Sequence, residues 1–209
     1  MELIIFDCDG TLVDSEFLCN LALQEQLAAI GIQSEATALM SKYRGGKLLE
    51  IILSLQAEYQ VTLPQAFESE YRKKVANLFD GHLKANDGVE KLLESLSIPF
   101  CIASSAPKKK IEHALQVTKL NKYFKNNIFS SYEINSWKPQ PGIFLHAAKM
   151  MNVLPVKCCV VEDSIVGLHA ANRAKMKSIY YDPDMLSPNP IASMSIKHMS
   201  ELIDKINII

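Results

Sequence analysis

The sequence has no C-x-x-C pair, a single tryptophan and almost no net charge. Each absence excludes something. Its five cysteines (8, 19, 101, 158, 159) are odd in number and offer neither zinc-ligand spacing nor an evident disulfide framework. Cys8, Cys101, Cys158 and Cys159 lie in or beside apolar runs, so reduced, buried thiols in a cytoplasmic protein are expected. No apolar run approaches the length of a membrane span, and no basic start leads into an apolar stretch as in a signal peptide. A net charge of −1 gives no electrostatic case for nucleic acid or an anionic membrane. Repeats and low-complexity segments are absent as well. The 209 residues, 48% hydrophobic, suffice for one soluble domain, with or without a smaller one inserted into it.

The chain is organised around its start, Leu3-Ile4-Ile5-Phe6-Asp7-Cys8-Asp9-Gly10-Thr11. Four apolar residues without polar alternation predict a strand buried on both faces, as in a central parallel strand. Asp7 and Asp9, two apart, leave the same face of an extended chain, with Cα atoms roughly 6–7 Å apart. Two such carboxylates repel each other unless a cation or a shared proton relieves them. An EF-hand loop fits poorly, because its Gly and Glu positions, counted from Asp7, hold Leu12 and Leu18. Taken alone, the pair is better read as an Asp-rich turn after a strand.

The order of elements favours the site. Apolar residues at helical spacing predict helices over about 16–30, 47–59 and 64–82, with Asp14-Ser15-Glu16 capping the first and Gly31 ending it. This stretch carries no strand signal and reads as an all-helical cap, residues 15–83, inserted into a core of residues 1–14 and 84–209. After it, strands at 99–105, 128–129, 157–163 and 178–181 alternate with helices at about 87–96, 108–118, 142–151, 164–174 and 199–206. That alternation predicts an α/β fold with a doubly wound parallel sheet. Three strands then end in Asp7/Asp9, Ser104/Ser105 and Glu162/Asp163, and parallel strands bring such ends to one edge, where ligands sit in open sheets.

In this order, Asp7-x-Asp9-Gly10-Thr11, Ser104, Lys138-Pro139-x-Pro141 and Glu162-Asp163-Ser164 resemble the four motifs of the haloacid dehalogenase-like superfamily. Gly167, Ala170-Ala171 and Ala174-Lys175-Met176 resemble its helix after the last motif. The resemblance spans essentially the whole chain and implies a Rossmann-like core with a helical cap. It implies Asp7 as nucleophile, Asp9 as general acid and base, and Lys138 as the neutralising cation. It further implies Mg²⁺ held by Asp7, the Asp9 carbonyl and Asp163, with Ser104 and Ser105 on the phosphoryl group. Thr11 and Glu16 join the candidate substrate contacts, and Glu162 is expected to steady its neighbours rather than ligate. Arg44 and Lys47, flanking a Gly-Gly turn in the cap, are candidates for binding the substrate's distal anion; a plain helix-start turn reads equally well. Lys108-Lys109-Lys110 reads as a solvated helix start, with contact of one of these lysines to the substrate as the lesser alternative, the five histidines as structural or exposed, and Asp182 and Asp184 as turn residues.

The implied activity is hydrolysis of a small phosphorylated metabolite. Asp9 with Gly10-Thr11 argues against dehalogenases, which lack the second aspartate and the metal. Cys19, where related sugar-phosphate mutases carry a histidine, argues against a mutase, which remains the alternative. A catalytically silent binding module is expected to lose Asp7, Asp9 or Lys138, and all three are here. Runs around Phe6–Glu16, Leu78–Asp80 and Trp137–Val153 are similar to bacterial phosphatases of 6-phosphogluconate. Gly142, Ser105-Ala106-Pro107 and Glu162 depart from that likeness. A monomer is expected, with a dimer allowed, and the cap is expected to hinge near Asp14-Ser15 and Leu83-Lys84.

Overall fold

The computed structural model describes residues 1–184 and 189–208. Its core is a six-stranded, all-parallel sheet in the order β3-β2-β1-β4-β5-β6. The strands are β1 (Leu3–Phe6), β2 (Phe100–Ser104), β3 (Ile128–Ser130), β4 (Cys158–Glu162), β5 (Lys177–Tyr181) and β6 (Met194–Ile196). β1 is central because every one of its side chains is apolar and fully buried. Leu3 and Ile5 pack on one face of the sheet and Ile4 and Phe6 on the other. Each such burial contributes about 1.5–3 kcal/mol.

Helices cover both faces. On the side of Ile4 and Phe6 lie α5 (Val89–Ser95), α6 (Lys108–Val117) and α11 (Leu202–Ile206), the first of them preceded in the chain by four helices of an insert. On the other side α9 (Gly142–Met150) and α10 (Ile165–Arg173) bury Ile143, Phe144, Ala147, Ala148, Ala170 and Ala171. Two short helices, α7 (Asn121–Phe124) and α8 (Ser131–Ile134), flank β3. The chain turns back after β3 to place β4 on the far side of β1, so the strand order reverses around β1.

Between β1 and α5 come α1 (Glu16–Ala28), α2 (Ala36–Tyr43), α3 (Leu48–Tyr59) and α4 (Phe67–His82). They hold an apolar cluster of their own, Leu23, Leu27, Leu39, Leu55, Leu63 and Phe67, while Leu18, Val75 and Phe79 face the main core. The two crossings into this insert run side by side: Asp14 N donates to Lys84 O at 3.0 Å, and Val13 bridges Ala85. Among the described residues, no helix is long and apolar enough to cross a membrane.

Three expectations need correction. α2 has no counterpart in the sequence reading, because only Ala36 and Leu39 of its eight residues are buried. β6 is equally unmarked: it is a three-residue edge strand with one fully buried side chain, Ile196. Ser15 does not cap α1 with its side chain, because that hydroxyl is spent on Asp9.

Candidate active site

β1 lies between β2 and β4, with Phe6 in register with Ile102 and Val161. The chain leaves these strands at neighbouring points, so Asp7, Ser104 and Glu162 converge at the carboxyl edge beside the reversal in strand order. Asp7 stays tied to the sheet through its N–H, which donates to Val161 O at 2.9 Å. Gly10 then turns with φ +76°, and a Cβ there would sit 2.1 Å from Asp163 Oδ2. Glycine is needed for both the turn and the approach of the two loops. Asn86 steadies this turn, its Nδ2 donating to the carbonyls of Gly10 and Thr11 at 2.9 and 2.8 Å. Sequence reasoning missed Asn86, and only its place at the return from the insert hints at it.

Lys138 is buried with its ammonium between two carboxylates, 2.5 Å from Asp7 Oδ1 and 2.6 Å from Glu162 Oε2. The other Glu162 oxygen accepts from the N–H and the hydroxyl of Ser164 at 3.2 and 2.6 Å. Both Glu162 oxygens thus accept hydrogen bonds, and Glu162 holds Lys138 in place. Burial pushes the Asp7 carboxyl up to about 8, against the pull of Lys138 and with the repulsion of Glu162 and Asp9. Burial would lower the Lys138 ammonium, but Asp7 and Glu162 override it and hold Lys138 above its ordinary value.

Asp9 has a different environment. Its Oδ1 accepts from Ser15 Oγ at 2.6 Å, and Lys110 Nζ reaches both of its oxygens at 2.9 Å. Burial raises Asp9, yet Lys110 and Ser15 outweigh it and keep the carboxyl below its ordinary value. Lys110 thus departs from the expected solvated helix start: Lys108 and Lys109 are exposed, whereas Lys110 turns inward. The available signal was its place on α6, one residue before buried Ile111 and four before buried Ala114.

A cavity of about 550 Å³ opens above these groups, between core and helical insert. Asp7, Asp9, Glu16, Ser104, Ser105 and Lys138 all line it. Ser104 Oγ accepts from Ala106 N at 3.1 Å, and Ser105 Oγ is buried without a hydrogen-bond partner among the described residues. Burial, reinforced by Asp9, lifts the Glu16 carboxyl to about 7. Three other substrate-contact candidates do not line the cavity. Thr11 is fully buried and its hydroxyl donates to Asp163 Oδ1 at 3.3 Å. Arg44 reaches Asp163 Oδ2 at 3.6 Å, and Lys47 lies over the Trp137 ring, 3.7 Å from its centroid. Both cap cations are drawn to partners on the core.

The residues present fit a divalent cation. Asp7, Glu162 and Asp163 each offer a carboxylate oxygen, all within 4.8 Å of one another. Asp163 Oδ2 is buried with no hydrogen-bond donor among the described residues, and burial followed by the repulsion of Glu162 and Glu16 holds its carboxyl well above the ordinary range. A hard cation with oxygen ligands would satisfy that atom. Glu162 already accepts three hydrogen bonds, from Lys138 and twice from Ser164, so Asp7 and Asp163 have the most capacity left.

Comparison with known proteins agrees with this architecture. The chain is 38% identical over 185 residues to the 6-phosphogluconate phosphatase of Escherichia coli K12, covering 88% of this chain and 84% of that one. It is 32% identical over 185 residues to a phosphorylated carbohydrates phosphatase of Thermotoga maritima, covering 86% and 84% respectively. A solved haloacid dehalogenase-like protein of unknown function from Agrobacterium tumefaciens superposes with a TM-score of 0.85 at 29% identity, over 100% of this chain and 98% of that one. The sequence profile of the haloacid dehalogenase-like hydrolases matches residues 4–181, and with the parallel sheet, the helical insert and the acidic strand ends in place, the chain belongs to that family.

Proposed function

We propose that this hydrolase is a Mg²⁺-dependent phosphatase that cleaves a small phosphate monoester, a sugar or sugar-acid phosphate, through an aspartyl-phosphate on Asp7. The observation that carries this reading is Lys138 held by Glu162 against Asp7, at the floor of a cavity that Asp9, Ser104 and Ser105 also line. A phosphate dianion repels an anionic nucleophile, and a buried ammonium beside that nucleophile offsets the repulsion. Phosphatase relatives at 38% and 32% identity support the reaction class, and 6-phosphogluconate is the first substrate they suggest.

In this reading the proton that burial keeps on Asp7 passes to Asp9 as substrate enters; Asp7 then attacks phosphorus while the ester P–O bond breaks, and Asp9 gives that proton to the departing oxygen. Water then attacks the phosphoryl group, Asp9 takes the water's proton, and the bond to Asp7 breaks to release inorganic phosphate. Ser104 and Ser105 would hold the phosphoryl oxygens, Ser105 with a hydroxyl that lacks any other partner. Asp7, Asp163 and the Asp9 carbonyl would hold Mg²⁺, which supplies positive charge where the phosphoryl group sits; positioning and electrostatics dominate such transfers.

Cys19 lines the cavity, and burial pushes its thiol up to about 12. Such a thiol does not shuttle protons at neutral pH, which weighs against a mutase. The test is phosphate release from a panel of sugar and sugar-acid phosphates, with Mg²⁺ or EDTA, for wild type and Asp7→Asn. Mg²⁺-dependent turnover lost in the variant is expected. A folded wild-type protein that releases no phosphate from any ester overturns the reading.

A further inference from the structure

The cavity wall away from the phosphoryl end is mainly apolar: Leu23, Leu48, Ile51, Val75 and Phe79 contribute to it. Arg72, Lys109, Lys110 and His113 are the further basic groups on that wall. Lys109 is an exposed rim residue. Arg72 is tied to Glu68 and to the Tyr132 hydroxyl, at 2.7 and 3.0 Å. His113 pairs with Asp80 at 2.7 Å. Lys110 alone has a partner at the reacting end, Asp9, and it lies deeper, with its ammonium 5.5 Å from the Phe79 ring centroid. The His113 ring lies 6.2 Å from the same ring. Phe79 therefore carries one basic group against its ring and a second beside it.

We propose that Lys110 recognises a carboxylate on the organic part of the ester, leaving Asp9 for that group when substrate enters, so that phosphate esters of acids are preferred over neutral sugar phosphates. The inference rests on the phosphatase reading for what the cavity holds. The contact already present shows the mode of binding: Lys110 Nζ bridges both oxygens of a carboxylate at 2.9 Å. A flexible four-carbon stem lets the ammonium change partners. The move also releases Asp9. Asp9 Oδ1 keeps Ser15, whereas Oδ2 accepts from Lys110 only, among the described residues. An oxygen free of Lys110 is what proton transfer to the leaving group needs. The cap cations Arg44 and Lys47 face Asp163 and Trp137 and do not compete for the role. Glu16, on the same wall, suits a substrate hydroxyl.

The test is calorimetric binding in the Asp7→Asn background with Mg²⁺ present, comparing 6-phosphogluconate with sorbitol 6-phosphate. The two differ only in a carboxylate against a hydroxymethyl group. The expected preference is about tenfold for the acid, as charge-assisted hydrogen bonds in a sheltered site give. Adding Lys110→Met should collapse the ratio to about unity, and Lys110→Arg should retain most of it. Equal affinities with Lys110 present overturn the proposal, as does a preference that survives Lys110→Met. A parallel loss for both ligands also overturns it, since that marks a purely structural lysine. Because binding is read without turnover, a protein that binds selectively yet releases no phosphate in the wild-type form counts against the phosphatase reading alone.

Discussion

Arg44 Nε lies 3.6 Å from Asp163 Oδ2, joining the Gly-Gly turn of the cap to the last acidic strand end of the core. Among the described residues Asp163 Oδ2 has no hydrogen-bond donor, and the Arg44 guanidinium is the one cation paired with it. Arg44 is itself partly solvated, which limits what the pair is worth. Arg44→Ala is expected to cost about 1 kcal/mol in metal-free protein. With Mg²⁺ present the loss should shrink, because the ion then supplies the charge. Thermal unfolding with EDTA and with Mg²⁺ checks this; an equal loss in both conditions would show that Arg44 does not act through Asp163.

Burial lifts Asp7 to about 8 and Glu16 to about 7, and holds Asp163 well above its ordinary 3.8. Between about pH 5 and 8 the folded, metal-free protein thus keeps protons that the unfolded chain has released, and stability falls as pH rises. Asp9 has the opposite shift, but its folded value lies below 3.8, so it is ionised in both states across this window. A divalent cation can replace those protons as counter-charge. The Tm in EDTA should therefore drop from about pH 5 to about pH 8, and Mg²⁺ should raise Tm more at the higher pH. A Mg²⁺ gain that is greater at the lower pH would contradict the proposed ligand set.

Gly45 packs the cap turn onto the core. It has φ +72°, and a Cβ there would come 2.7 Å from both Cβ and Oγ of Ser164. Gly45→Ala should keep this turn from seating while leaving the sheet intact. KM should rise while stability falls by about 1–2 kcal/mol, the cost of a left-handed non-glycine residue. Steady-state kinetics alongside thermal unfolding separate the two, and an unchanged KM would show that the turn does not need to close for binding.

How far the sequence spoke depended on the kind of signal. Buried strands and their polar ends were legible, because four apolar residues followed by Asp7, or by Glu162 and Asp163, have no other economical place than a central parallel strand. Helices with apolar stripes were legible for the same reason. α2 and β6 were not, since each buries too little to leave a pattern. At the site, residue type and order placed Asp7, Asp9, Ser104, Ser105 and Lys138 on one cavity, but not the partners that long side chains choose. Lys110 looks in composition like its exposed neighbours Lys108 and Lys109, and only the rotation of α6 separates them. Arg44 and Lys47 stand where a substrate reader was expected, yet the core offered Asp163 and Trp137 within closer reach.

The Asp7–Lys138–Glu162 arrangement sets two buried carboxylates against one buried ammonium. Removing the ammonium leaves Glu162, and Asp7 as it ionises, without a counter-charge at the buried floor of the cavity. Lys138→Met is therefore expected to cost about 3–5 kcal/mol near neutral pH. Adding Glu162→Gln removes one uncompensated charge and keeps an acceptor for Ser164, so the double variant should be more stable than Lys138→Met alone. The two substitutions share one network, and their effects should be strongly non-additive. Urea unfolding of the four proteins in this cycle measures the coupling. Additive losses would mean that Glu162 is not held against Lys138 as a charge. Activity should not return in the double variant, because Asp7 still lacks the cation that lets a carboxylate approach a phosphate dianion.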